Sequence, residues 1–108
     1  MNFKEYQEKA VTTAIYPEEV KILYPSLGLA GETGEICEKI KKVYRDNSGQ
    51  FTNEKKKEIL KEIGDVLWYL SAICKDLDLS MEEAAELNIT KLFSRKERGV
   101  ISGSGDNR

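Results

Sequence analysis

The strongest periodic signal lies in the middle of the chain. Ile59, Ile63, Val66, Leu70, Ile73 and Leu77 recur at alternating steps of four and three, the stripe of an amphipathic helix. Leu60, Leu67 and Cys74 widen that face, Thr52 or Asn53 suits its N-cap, and Asp76 to Leu79 end it. An earlier helix runs from about Pro25, a residue at home in a first helical turn, to about Arg45. Its apolar positions are Leu27, Ala30, Cys37, Ile40 and Val43, and Lys39, Lys41, Lys42 and Arg45 gather toward the C-terminal end, where cations suit the dipole. Asn47-Ser48-Gly49 reads as a loop. Ser80 with Glu83 forms a capping box for a last helix from Met81 to about Arg98, stopped by Gly99. A shorter leading helix carries Phe3, Tyr6, Ala10 and Ala14 before Pro17 interrupts it, with a further short turn over 18–23. About four helices joined by short turns predict an all-α antiparallel bundle over residues 1–98, followed by a glycine-rich flexible tail over 99–108. The apolar face from Ile59 to Leu77 is wider than one neighbouring helix requires, so pairing with further copies of the chain is expected.

Composition narrows the chemistry. At 108 residues there is room for one core, and 40% apolar with 33% charged residues suits a folded domain. A net charge of −2 argues against a broadly basic nucleic-acid surface. The chain has no histidine, which excludes Ser-His-Asp triads, Cys-His pairs and His-ligated zinc or di-iron sites. Cys37 and Cys74 lack CxxC spacing and read as buried thiols at apolar helix positions. No stretch approaches a membrane span and the N-terminus lacks a signal-peptide core, so a cytoplasmic protein with reduced thiols is expected.

Glu32 and Glu35 are three apart on one helix, and Glu62 and Asp65 repeat the arrangement on the next. Alone, either pair is an ordinary solvated face. The glycines beside them change that reading. Gly28, Gly31 and Gly34 each cost up to ~1 kcal/mol in a helix, a cost that a solvated face gives no reason to accept. Small residues next to acidic ones let a helix or ligand approach the backbone, and Gly64 repeats the feature. Four carboxylates facing one another would repel, at about 4 kcal/mol per pair for ~4 Å and an effective dielectric of ~20. They either protonate or hold a cation, and an all-oxygen set favours Mg²⁺, with Mn²⁺ as a substitute. Asn88, Lys91 and Arg95 form a polar stripe on the last helix, able to meet phosphate oxygens and a sugar or base if it faces the acidic site.

These residues resemble a known family. Glu32-Thr-Gly-Glu35, a gap of 26 residues and Glu62-Ile-Gly-Asp65 resemble the ExxE…ExxD signature of MazG-type nucleoside triphosphate pyrophosphohydrolases. The likeness extends through Leu27 to Glu32, Asp65 to Leu70, Asn88 to Leu92, Arg95 and Arg98-Gly99, with Tyr6-Gln7 and Thr13-Ala14 at the start. The resemblance implies an all-α enzyme, a dimer or dimer of dimers, that uses Mg²⁺ to convert a nucleoside triphosphate to monophosphate and pyrophosphate. It implies Glu32, Glu35, Glu62 and Asp65 as metal ligands, Lys91 and Arg95 on the phosphate chain, and Tyr69 and Asn88 at the nucleoside. A carboxylate of the cluster, with Glu35 the first choice over Glu32 or Glu38, would activate water for attack at the α-phosphorus. Trp68 and Tyr69 are candidates for base stacking or for core, and Tyr6 and Gln7 for the nucleoside pocket or for packing. The rival readings are a non-enzymatic helical interaction module that keeps the acidic site, and phosphatase or nuclease activity on the same metal.

Overall fold

Helix capping in the computed structural model, which describes residues 1–108, follows the local chemistry closely. Helix α1 spans Phe3–Ala10, with the Asn2 side chain accepting from Glu5 N–H, and continues as a 3₁₀ turn over Val11–Thr13. A second 3₁₀ turn covers Glu18–Val20. Helix α2 spans Leu23–Asn47 and ends at Ser48, which adopts the left-handed conformation. Helix α3 spans Asn53–Asp76, capped by the Thr52 hydroxyl on Lys55 N–H. Helix α4 spans Met81–Glu97, capped by Ser80 on Glu83 N–H, and Gly99 follows at φ 71°. There are no strands; the fold is all-α.

Helices α2 and α3 form an antiparallel hairpin packed along its length, with Val43 and Ala72 fully buried in it. At the open end of this hairpin, the Asp76 carboxylate accepts from the Tyr16 hydroxyl (2.6 Å) and from Ile22 N–H (2.8 Å). Ile22 has φ 68° and ψ −54°, rarely seen in a β-branched residue, and Leu23 N–H closes a tight turn onto Lys21 C=O at 2.8 Å. Asp76 thus fixes where α2 begins.

Helix α4 is anchored only at its start. The Gln7 amide donates to Leu79 C=O (3.0 Å) and accepts from Met81 N–H (2.8 Å), and Lys4 N–H donates to the Glu82 carboxylate (2.8 Å). Beyond that junction Leu87, Ile89 and Phe93 are exposed. Leu60, Ile63, Leu70 and Leu77 of the α3 stripe are exposed as well, so one chain does not cover the face its own periodicity defines. Cys37, expected to be a buried thiol, is exposed because nothing packs over its side of α2; Cys74 is half-buried, and burial raises its thiol pKa. Only six residues are buried, and the radius of gyration is 16.8 Å, against about 13 Å for a compact chain of this length. No helix is long and apolar enough to cross a membrane.

Candidate metal centre and its surroundings

The antiparallel hairpin brings Glu32 of α2 opposite Glu62 and Asp65 of α3. One carboxylate oxygen from each lies within 4.8 Å of the other two. Glu62 is held by Lys39, whose Nζ is 3.6 Å away. Lys39 follows Glu32 by seven residues, two helical turns, so the spacing that put Glu32 at the hairpin interface also put a cation there. It was not among the expected site residues. The Glu32 pKa is raised, first by a carboxyl–carboxyl hydrogen bond with Glu62, then by burial and the charges of Asp65, Glu62 and Glu35. Glu35 is exposed and stands outside the three-residue cluster, yet near enough for its charge to be felt at Glu32.

Such a group of oxygen donors suits a hard divalent cation and offers nothing to a soft one. Around it the helical glycines play two parts. A methyl group at Gly28 would overlap the ring of Tyr69, so Gly28 is what lets that ring lie against α2. Gly31, Gly34 and Gly64 have open space where a side chain would project.

Aromatic rings adjoin the carboxylates. Tyr69 lies one turn after Asp65, with its hydroxyl pKa raised by burial and then by Tyr24 and Glu32. Its ring centroid is 5.0 Å from Trp68, edge to face, and 6.5 Å from Tyr24. Tyr24 stacks on Tyr16 at 4.8 Å. Trp68 Nε1–H donates to the Thr13 hydroxyl at 2.7 Å. Thr13, Ile15, Tyr16, Pro17, Tyr24 and Trp68 line a shallow cavity of about 300 Å³. Tyr16 and Tyr24 carry no periodic signal, since they sit on either side of the Pro17 break, and only the fold assembles them. Tyr6 is close enough to Asp65 for that charge to add to the effect of burial on its hydroxyl, whereas Gln7 serves the α1–α4 junction.

The cationic stripe is occupied elsewhere. Lys91 Nζ contacts Asp106 Oδ1 at 2.7 Å, and Arg95 Nη2 contacts Asp106 Oδ1 at 3.2 Å and its carbonyl at 2.6 Å. No ion pair joins Lys91 or Arg95 to Glu32, Glu35, Glu62 or Asp65 within the chain. Asn88 is exposed on the same helix.

The chain is thus an all-α protein whose central hairpin gathers three carboxylates beside open helical glycines. The chain belongs to the MazG nucleotide pyrophosphohydrolase domain family, whose model matches residues 25–100 and so spans both carboxylate pairs and the whole of α4. It is 44% identical, over 114 residues covering the whole of both chains, to the Gene 37 protein of Mycobacterium phage L5. No solved structure matches it.

Proposed function

We propose that the protein is a Mg²⁺-dependent nucleotide pyrophosphohydrolase that converts a nucleoside or deoxynucleoside triphosphate to the monophosphate and pyrophosphate. The observation that carries this reading is the convergence of Glu32, Glu62 and Asp65 to within 4.8 Å in a chain of the MazG family. When bound, Mg²⁺ (or Mn²⁺ in its place) supplies positive charge to the attacking water and to the departing pyrophosphate. Glu32, Glu62 and Asp65 hold it, and Glu35 completes the set or accepts the proton of the water from its exposed position beside the cluster. Lys91 and Arg95 bind the phosphate chain, Tyr69 and the neighbouring rings offer a face to the base, and Asn88 offers an amide to the sugar or base.

Two copies of the chain, or four, complete the site. The accessible surface of one chain is 7917 Å², against about 6,100 Å² for a compact protein of this mass. The excess of about 1,800 Å² falls within what one protomer of an obligate homodimer buries. Since Lys91 and Arg95 make no pair with the carboxylates of their own chain, a second copy is also the means by which cations and acidic cluster meet.

The test is turnover of a panel of nucleoside triphosphates with and without Mg²⁺, the products separated by chromatography. Monophosphate and pyrophosphate are expected, with Asp65→Asn severely weakened in both turnover and Mg²⁺ binding by calorimetry. Unchanged Mg²⁺ binding in a folded Asp65→Asn protein would place Asp65 outside the centre. No turnover of any triphosphate, with Mg²⁺ binding intact, would favour the interaction-module reading.

A further inference from the structure

Residues 99–108, expected to form a flexible tail, lie against α4. The chain turns at Gly99, Gly103 and Gly105, whose φ angles of 71°, 121° and 87° lie in the region that favours glycine. It closes into a small loop around the Arg108 guanidinium, which donates to the carbonyls of Val100 (3.1 Å), Ile101 (2.8 Å) and Gly105 (2.7 Å). Arg98 Nη2 ties the loop to α4 by donating to the Arg108 carbonyl at 2.7 Å. The loop presents Asp106 to Lys91 and Arg95.

Arg95 is unusual for a surface helix. Only 6% of it is exposed, and its Nε–H is buried without a partner. A guanidinium with Nη2 engaged and Nε idle is half of a bidentate anion site, and a single carboxylate already shared with Lys91 does not fill it. The carboxylate is itself 77% exposed and faces two cations with one negative charge. The Lys91–Asp106 pair, exposed on both sides, is of the weak kind that yields to a more highly charged competitor.

We infer that segment 99–108 is a strap in which Asp106 stands in for a substrate phosphate: it occupies the Lys91–Arg95 anion site in the free protein, and a di- or triphosphate displaces it. This rests on the reading of Lys91 and Arg95 as phosphate-binding residues. A strap closed most of the time lowers apparent affinity by the fraction of molecules left open, so its release tightens binding without any new contact. The opposing account is that Asp106 braces the two cations in a binding-ready pose, in which case its loss weakens binding.

Inorganic pyrophosphate is the probe, titrated by calorimetry at low ionic strength into the full chain, Asp106→Asn and Lys91→Ala. Amide hydrogen exchange of residues 100–108 is followed in parallel. The strap predicts that Asp106→Asn binds pyrophosphate about 5-fold tighter, and that pyrophosphate speeds exchange across 100–108 in the unaltered chain. Equal or weaker binding by Asp106→Asn, with Lys91→Ala still losing affinity, overturns the strap and leaves the phosphate role of Lys91 standing. Unchanged binding in Lys91→Ala overturns that role and the strap with it.

Discussion

The Glu62 carboxyl beside it, burial and the charges of Asp65 and Glu35 raise the pKa of Glu32 above its ordinary value of 4.5. For an acid whose pKa is raised by folding, the stabilising contribution is present at low pH and is lost as pH rises through the raised value. As pH rises above that ordinary value, the melting temperature of the metal-free protein should therefore fall relative to that of Glu32→Gln, which cannot titrate there, and Mg²⁺ should offset the loss in the unaltered chain. Calorimetry in buffers of different ionisation enthalpy should find a proton released on Mg²⁺ binding at mildly acidic pH and little release at alkaline pH. Release that is absent throughout, or unaffected by Glu32→Gln, would contradict a cation among these carboxylates. Glu35 is separable from its neighbours because it stands outside the three-residue cluster. If it activates water, Glu35→Gln should lower kcat by about 100-fold or more while Mg²⁺ affinity falls far less than in Asp65→Asn. Equal losses of Mg²⁺ affinity in the two variants would make Glu35 a ligand only.

Among the elements, α2 carries the sharpest internal contrast. Alanine at Gly28 gains helix propensity of up to ~1 kcal/mol but drives a methyl into the Tyr69 ring, an overpacking cost of about 1–3 kcal/mol. Alanine at Gly31 or Gly34 meets nothing and should stabilise the isolated chain by up to ~1 kcal/mol. Urea denaturation of the three variants should order them that way, and a stabilised Gly31→Ala that loses turnover would mark close approach by substrate or a second chain. The helices themselves were legible in the sequence because their signals are local: Thr52 and Ser80 cap where their spacing predicts, and Gly99 stops α4. The facing of Glu32 with Glu62 and Asp65 was also legible, since ExxE and ExxD on two helices joined by a short turn leave few registers. Periodicity, however, reports which face is apolar and not what covers it. Hence Cys37 was expected inside and lies outside, and the departure of α4 from the hairpin gave no local signal. Lys39 was concealed among four basic residues near one helix end, and Asp106 reaches Lys91 only through three glycine turns that composition describes as flexible.

At the scale of the whole molecule, the exposed stripe of α3, the uncovered length of α4 and the excess surface are what the proposed pairing would cover. Light scattering at micromolar concentration should give twice 12.3 kDa or a larger multiple, and a monodisperse monomer would contradict the pairing. The central claim concerns which bond the assembled site breaks. If the cations hold the β- and γ-phosphates together as one leaving group, water attacks the α-phosphorus and intact pyrophosphate departs. Turnover of a nucleoside triphosphate in ¹⁸O-labelled water, with each product weighed by mass spectrometry, reads this directly. The label is expected in the monophosphate and absent from pyrophosphate; label in pyrophosphate, or orthophosphate and nucleoside diphosphate as the first products, would contradict the account.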